Sequence, residues 1–310
     1  GLKDASTTMF LHRLMDRISQ VLRDKAGDST YEISVPALNR LRKDPLTYFD
    51  TFMDHIEEIT RSYPLLLMLD EFQCLNSLRE EGATCSAIFN RLRSHSQHWQ
   101  GIHFILSGGG LLSYLKDQSD IASLFNIAHP EKLNCLETES ARQLIKDGLS
   151  KVGNITDTAI TLLMSYTAGH PYYLQLLCSM LYDYAQEHRL ALTSDVVSQR
   201  IREWLMDADA SRFQHFWEGY DIPSTQRNKL ILSALAQLGN ATYSVDFDRL
   251  VDAIGAVVSE YDLAQSLHDL SELGVLDHYQ ANYSIKVGLF GRWLHQHSSL
   301  KTALKETSRL

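Results

Sequence analysis

The chain has 310 residues, of which 44% are hydrophobic and 22% are charged, and its formal net charge is −9. This length allows two or three domains, and the acidic balance argues against a basic surface for nucleic acid or anionic lipid. No apolar run approaches the roughly 18 residues of a membrane span, and the four cysteines lack the spacing of a zinc site or disulfide framework. We therefore expect a cytoplasmic protein with reduced thiols.

The first part of the chain alternates helices and strands. Apolar spacing predicts, in chain order, a helix over 8–24, a helix over 45–60, a strand over 65–69, a helix over about 83–94 and a strand over 102–106. Residues 65–69 are a short, unbroken apolar run, and residues 102–106 are mainly apolar. Such runs are typical of strands buried on both faces of a parallel sheet. The pattern predicts an α/β domain over residues 1–134.

Helices alone follow after residue 134. Their predicted ranges are 138–150, 157–167, a helix starting at Pro171, and 194–206. Residues 221–224, Asp-Ile-Pro-Ser, have the composition of a boundary. We therefore predict an all-α domain over residues 135–222.

The last part, residues 223–310, has the layout of a winged helix-turn-helix. The predicted elements are helices over 227–238, 246–253 and 259–273, a β-hairpin over 275–287 and a final helix over 289–297. The hairpin is predicted to close through a three-residue turn, Gln280-Ala281-Asn282.

Two adjacent carboxylates, Asp70 and Glu71, directly follow the first predicted strand. Open α/β sheets bind their ligands at the carboxyl ends of the strands. One such acid can hold a hydrated Mg²⁺, and the next can orient or deprotonate a water aimed at a phosphate. This is the form of a Walker B element. The alternative is a strand that ends in two solvated acids and nothing more.

Three further features stand in a fixed order after this pair. The second strand ends at Ser107, where many ATPases place a sensor of the γ-phosphate, the helical part contains the turn Gly169-His170-Pro171, and the predicted winged unit closes the series. In this order the segments resemble the STAND family of signal-transducing P-loop ATPases, in particular its bacterial and archaeal AAA-like branch. The resemblance extends to about residue 297. It implies an α/β fold with a partial P-loop NTPase sheet, followed by an all-α lid and a winged helix-turn-helix domain.

The resemblance also implies roles for the acids and the serine. Asp70 would hold Mg²⁺ through water, Glu71 would position the attacking water, and Ser107 would sense the terminal phosphate of ATP. ATP and Mg²⁺ are thus the implied cofactors.

For the turn, the resemblance implies packing of Gly169, His170 and Pro171 near the adenine. A structural explanation stays equally open, because Gly commonly ends one helix and Pro commonly begins the next.

The phosphate-binding motif G-x-x-x-x-G-K-[S/T] does not occur in the 310 residues. Residues 1–8 have its length, but Ser6 replaces the second glycine and Thr7 replaces the lysine, which impairs a nest of N–H groups around phosphate. The resemblance places the phosphate loop upstream of Gly1, so the chain is either a piece of a longer ATPase or a decayed one. The intact Asp70–Glu71 pair favours the first. We expect the chain alone to bind nucleotide poorly and to hydrolyse none.

The implied function is a nucleotide-dependent regulatory switch, of which this chain is the C-terminal portion. One alternative is a nucleotide-free scaffold that docks proteins through the winged unit, and a lesser one is a DNA-binding regulator. The predicted recognition helix, 259–273, carries four acids and no Lys or Arg, so DNA phosphates would repel it. We therefore expect protein partners or self-association, and neither DNA nor membrane binding.

Overall fold

The computed structural model describes residues 7–26, 33–72, 90–94, 97–98, 101–108, 128–216, 222–239 and 243–308. The chain forms two compact units, Gly1–Glu131 and Lys132–Leu310. The helix predicted over 83–94 lies outside the described residues except for 90–94, which are helical.

The first unit combines helices with a parallel pair of strands. Its elements are α1 (Thr7–Ala26), α2 (Leu38–Leu41), α3 (Pro45–Ser62), β1 (Leu65–Leu69) and β2 (Ile102–Leu106). Helix α3 begins where its sequence indicates, because Asp44 accepts a hydrogen bond from the Thr47 N–H and Pro45 occupies the first turn. The predicted parallel pairing of the two strands is confirmed.

Strand β1 is buried on one face only. Leu65 and Leu67 are 7% and 8% exposed and pack in a core with α1 and α3, whereas Leu66 and Met68 are 52% and 69% exposed. The prediction of a strand buried on both faces was therefore wrong for this chain. A continuous apolar run is typical of a strand covered by helices on both sides, and α1 and α3 cover a single side.

The second unit is mainly helical. Its elements are α4 (Thr138–Leu149), α5 (Asp157–Thr167), α6 (Pro171–His188), α7 (Ser194–Asp207), a 3-10 helix (Ala210–Phe216), α8 (Ile222–Leu238), β3 (Ser244–Asp246), α9 (Phe247–Ile254), α10 (Glu260–Glu272), β4 (Leu276–Tyr279), β5 (Asn282–Ile285), α11 (Gly288–His297) and α12 (Leu300–Thr307). The three strands form an antiparallel sheet in the order β3-β5-β4. The sequence pattern had predicted neither β3, nor the 3-10 helix, nor α12.

One apolar core runs through the second unit from α4 to α11. The 3-10 helix lies inside it: the Phe213 ring stacks on Phe290 of α11, with 5.4 Å between the ring centroids. The chain just before this helix is also held, because Trp293 Nε1 donates to the carbonyl of Ala208 over 2.8 Å. The boundary predicted at 222 falls within this core, so the division into separate all-α and C-terminal domains stays a prediction.

The hairpin of β4 and β5 is tighter than predicted. Asn282 pairs with Tyr279 and also with Asp246 of β3, so it belongs to the strand, and the turn consists of Gln280 and Ala281. Asn is typical of turns, but here the pairing with β3 extends the strand to this residue. The three-residue turn was therefore a wrong prediction.

Candidate functional site

The carboxyl ends of β1 and β2 bring Asp70 and Ser107 into contact. The strands pair with Leu69 opposite Leu106, so the next residue of each strand faces the other. Ser107 Oγ donates a hydrogen bond to Asp70 Oδ1 over 2.7 Å, and the Ser107 N–H donates to the Leu69 carbonyl over 2.9 Å. The parallel arrangement predicted a shared sheet edge, and the register adds a direct bond between the two side chains.

A tight turn places Glu71 beside this pair. Glu71 has φ 54°, in the left-handed region that a residue with a side chain rarely adopts. Its N–H donates to Asp70 Oδ1 over 3.0 Å, and the N–H of the buried Phe72 donates to the Ser107 carbonyl over 3.1 Å. The hydrogen bonds and the buried ring thus hold a strained backbone in place, as is common at functional sites.

The carboxylates of Asp70 and Glu71 are both exposed at the sheet edge. Both hydrogen bonds described for the Asp70 carboxylate go to Oδ1, which fixes the orientation of the group. Within the described ranges, no three His, Cys, Asp or Glu residues converge as a metal site. This donor set suits Mg²⁺, which usually binds one or two carboxylates together with water and substrate phosphates instead of an all-protein cage.

The turn at residues 169–171 lies in the second unit, between α5 and α6. Ala168 and Gly169 have φ 50° and 71°, and Pro171 is the first residue of α6. A left-handed end to one helix and a proline at the start of the next are sufficient to explain this turn structurally. Its predicted adenine contact stays a prediction.

His170 packs into an aromatic cluster of the second unit. Its ring centroid lies 5.1 Å from that of Tyr173 and 6.3 Å from that of His215, in the 3-10 helix. Its buried Nδ1 has no hydrogen-bond partner among the described residues. Burial lowers the pKa of both histidines, and the pKa of His215 is lowered further by its proximity to His170.

His215 was not among the residues predicted to form a site. Tyr173 bonds the 3-10 helix through its hydroxyl, which donates to the Arg212 carbonyl over 2.9 Å and lies 3.4 Å from His215 Nε2. The signal in the sequence is weak: Phe213 and Phe216 are spaced three residues apart around His215, and both are buried. Such spacing indicates a short apolar face but not its partner.

The chain has a fold similar to that of a Walker-type ATPase of known structure. Its structure is similar to that of the Walker-type ATPase PABY2304 of Pyrococcus abyssi, with a TM-score of 0.64 over 93% of this chain and 79% of that protein. The two sequences are 16% identical. At this identity the similarity defines the fold and leaves the activity open.

Weaker structural similarities are also found. The RuvB Holliday junction branch migration motor of Thermotoga maritima matches with a TM-score of 0.38 and 16% identity, and a variant of it with 0.39 and 18% identity. Each match covers 75% of this chain and 71% of RuvB. No protein-family model matches the chain, and a comparison with curated proteins finds no match either. Among the helices described, none is long and apolar enough to cross a membrane.

Proposed function

We propose that this chain is the C-terminal portion of a regulatory ATPase of the STAND type, which switches its partner or its oligomeric state with the bound nucleotide. The observation that carries the proposal is the hydrogen bond between Ser107 and Asp70 at the paired ends of β1 and β2, with Glu71 in a strained turn next to it. A strand that ended in solvated acids alone would need neither the bond nor the strain.

The residues present fit the metal end of a nucleotide site. Asp70 would hold Mg²⁺ through water, Glu71 would orient a water molecule, and Ser107 would respond to the terminal phosphate. Bound Mg²⁺ would neutralise charge on the phosphates of ATP. The phosphate-binding loop is not among the 310 residues, so the proposal requires that the rest of the protein supply it.

In this proposal, the second unit provides the adenine contact and the response that changes the partner or the oligomeric state. The turn of Gly169, His170 and Pro171 is our candidate for the adenine contact, and the unpartnered, buried Nδ1 of His170 is the observation that supports it. Helices α8, α9 and α10 with the β4–β5 hairpin form the proposed winged-helix module. Since this module shares its core with α4–α7, we expect the lid and the module to respond to nucleotide as one body.

The test uses the full reading frame that contains this chain. We expect it to include a G-x-x-x-x-G-K-[S/T] loop, to bind a fluorescent ATP analogue in the presence of Mg²⁺, and to release phosphate. Glu71→Gln should retain nucleotide and lose turnover by roughly 10²-fold or more, since positioning a proton acceptor contributes about that much. Asp70→Asn should weaken binding in Mg²⁺ but change it little in EDTA.

A matched control for these variants is Glu58→Gln, an exposed acid on α3 of the same unit, which should leave both binding and turnover unchanged. The ATPase proposal is overturned if the full protein lacks a phosphate loop and binds no ATP. It is equally overturned if Glu71→Gln turns over ATP at the rate of the unsubstituted protein.

A nucleotide-free scaffold is the second candidate, and the charge of the α10 face favours it over DNA binding. Glu260 and Glu272 are exposed on this helix. Two nearby cations are already engaged, because Lys286 Nζ lies 3.2 Å from Asp277 and Lys132 Nζ lies 3.9 Å from Glu272. A scaffold would dock proteins through this face, and Glu71→Gln would then change nothing. Strong, salt-sensitive binding of a DNA duplex would instead support the lesser alternative.

A further inference from the structure

A surface groove runs between α4 and α6 in the second unit, and we call it the α4–α6 groove. It is lined by Leu144 and Gly148 of α4 and by Leu174, Gln175, Cys178, Ser179 and Tyr182 of α6. The surface that it exposes is mostly apolar, and the open cavity has a volume of about 220 Å³. Leu144 is 36% exposed in it. The groove thus offers apolar surface at a position open to solvent.

Gly148 forms part of the lining although nothing in the fold requires a glycine there. A Cβ placed on Gly148 would meet no atom within 4 Å, and its φ is not in the left-handed region. Glycine destabilises a helix relative to alanine. The residue therefore keeps the backbone of α4 open to close approach from outside, which is a recurrent use of glycine at binding surfaces.

The rim of the groove is acidic. Glu139 and Asp147 of α4 flank Leu144 in an adjoining surface depression. The two cations of α4 are directed elsewhere, because Arg142 and Lys146 lie 2.9 Å and 3.9 Å from Asp157 of α5. The apolar groove thus adjoins two carboxylates with no basic side chain in its lining.

We propose that the α4–α6 groove binds a basic amphipathic helix of a partner protein. One large apolar side chain would fill the cavity over Gly148, and Lys or Arg side chains would lie against Glu139 and Asp147. This is the helix-in-groove mode, in which a few apolar anchors supply most of the affinity and charge gives the orientation.

The size and charge of the groove argue against other occupants. A cavity of about 220 Å³ is below the range of about 300–1,000 Å³ that is usual for small-molecule sites, but it is suited to a single side-chain anchor. A second copy of the chain would bring the same acidic rim against itself in a two-fold contact. The net charge of −9 makes that contact less favourable still.

The test is fluorescence anisotropy of the 310-residue chain with a labelled helical peptide of about 14 residues, about four turns, with leucine on one face and lysine on the other. A peptide with glutamate in place of lysine is the charge control. We expect the lysine peptide to bind and the glutamate peptide not to. Gly148→Leu, which fills the cavity, should weaken binding at least tenfold, and Asp147→Lys at least fivefold. Asp252→Lys, an exposed acid on α9, should bind as the unsubstituted chain does.

A footprint locates the binding. Cys178 lines the groove, whereas Cys135 does not. Burial raises the pKa of Cys178 to about 11, so its alkylation is slow and is followed over hours at mildly alkaline pH. The lysine peptide should slow alkylation of Cys178 severalfold and leave Cys135 unchanged.

The proposal is overturned if the two peptides bind equally or if the lysine peptide does not bind. It is also overturned if the peptide binds Asp147→Lys as tightly as the unsubstituted chain, because its contact is then elsewhere on the acidic surface. Asp147 is exposed, so this variant keeps the test decisive even if Gly148→Leu folds poorly. Dimerisation of the chain that Gly148→Leu abolishes would identify a second copy as the occupant and would also refute the proposal.

Discussion

Gly169 lies against the backbone of Leu136, whose N–H donates to the Gly169 carbonyl over 2.9 Å. A Cβ on Gly169 would come within 2.5 Å of the Leu136 carbonyl oxygen, and φ is 71°. We therefore predict that Gly169→Ala lowers the free energy of unfolding by at least about 2 kcal/mol, since both a left-handed alanine and a backbone clash are costly. Urea unfolding followed by circular dichroism measures the loss.

Gly148→Ala is the matched comparison for this substitution. Its Cβ would meet nothing within 4 Å in α4, so we predict a gain of about 0.5–1 kcal/mol in the same assay. Equal effects of the two alanines would contradict the distinction between a glycine required by the turn and one that the helix does not need.

Ser107→Ala removes the hydroxyl that orients the Asp70 carboxylate. In the full-length protein we predict a loss of turnover of roughly tenfold or more, because donors aimed at a reacting centre commonly contribute that much. Both groups are exposed, so the effect on the free energy of unfolding should stay below about 1 kcal/mol. Steady-state phosphate release and urea unfolding give the two quantities.

Ser107→Thr is the control, because it retains the hydroxyl and suits the extended backbone at the end of a strand. It should keep most of the turnover. If Ser107→Ala and Ser107→Thr were equally active, the hydrogen bond to Asp70 would have no part in catalysis.

The stability of the second unit should depend on pH through His170 and His215. Burial lowers the pKa of both below the ordinary 6.5. The unfolded chain therefore takes up protons on acidification before the folded chain does. The free energy of unfolding should be constant above about pH 6.5. It should fall as the pH drops from there through the folded-state pKa values of the two histidines. Urea unfolding over a pH series measures this dependence.

His215→Phe should flatten the pH dependence of the free energy of unfolding, because a Phe ring keeps the aromatic contacts of His215 but cannot take up a proton. His188→Phe is the comparison, because His188 is exposed and stacks on Tyr184 at the far end of α6. A flattening of the same size in His188→Phe would assign the pH dependence to histidines in general.

Features with local causes could be predicted from the sequence. Pro45 marks the start of α3, Ser259 caps α10 by accepting from the Asp262 N–H, and mainly apolar segments mark β1 and β2. Asp70 and Ser107, separated by 37 residues, were each predicted at the carboxyl end of a strand, and parallel strands place those ends at one edge; the hydrogen bond between them was not predicted.

Features that depend on a partner distant in sequence could not be predicted. Strand β3 is three residues with one buried side chain, Val245, which is too short for alternation to be recognised. The contact of Tyr173 with His215 spans 42 residues and joins two helices. Neither the strand nor the contact produces a periodic pattern in the sequence, because each depends on tertiary packing.

The turn of the β4–β5 hairpin carries a residue that its backbone disfavours. Gln280 has φ 57°, and Ala281 is not at positive φ, which is the sign pattern of a type II′ turn, where glycine is preferred at the first position. We predict that Gln280→Gly stabilises the chain by up to about 1 kcal/mol, because a left-handed residue with a side chain costs about 1–2 kcal/mol and glycine returns part of this as entropy of the unfolded chain. Urea unfolding measures the gain. Ala281→Gly is the control. It should be neutral or destabilising, because glycine relieves no strain at that position. Stabilisation by Ala281→Gly and not by Gln280→Gly would show that the strain lies at Ala281 instead.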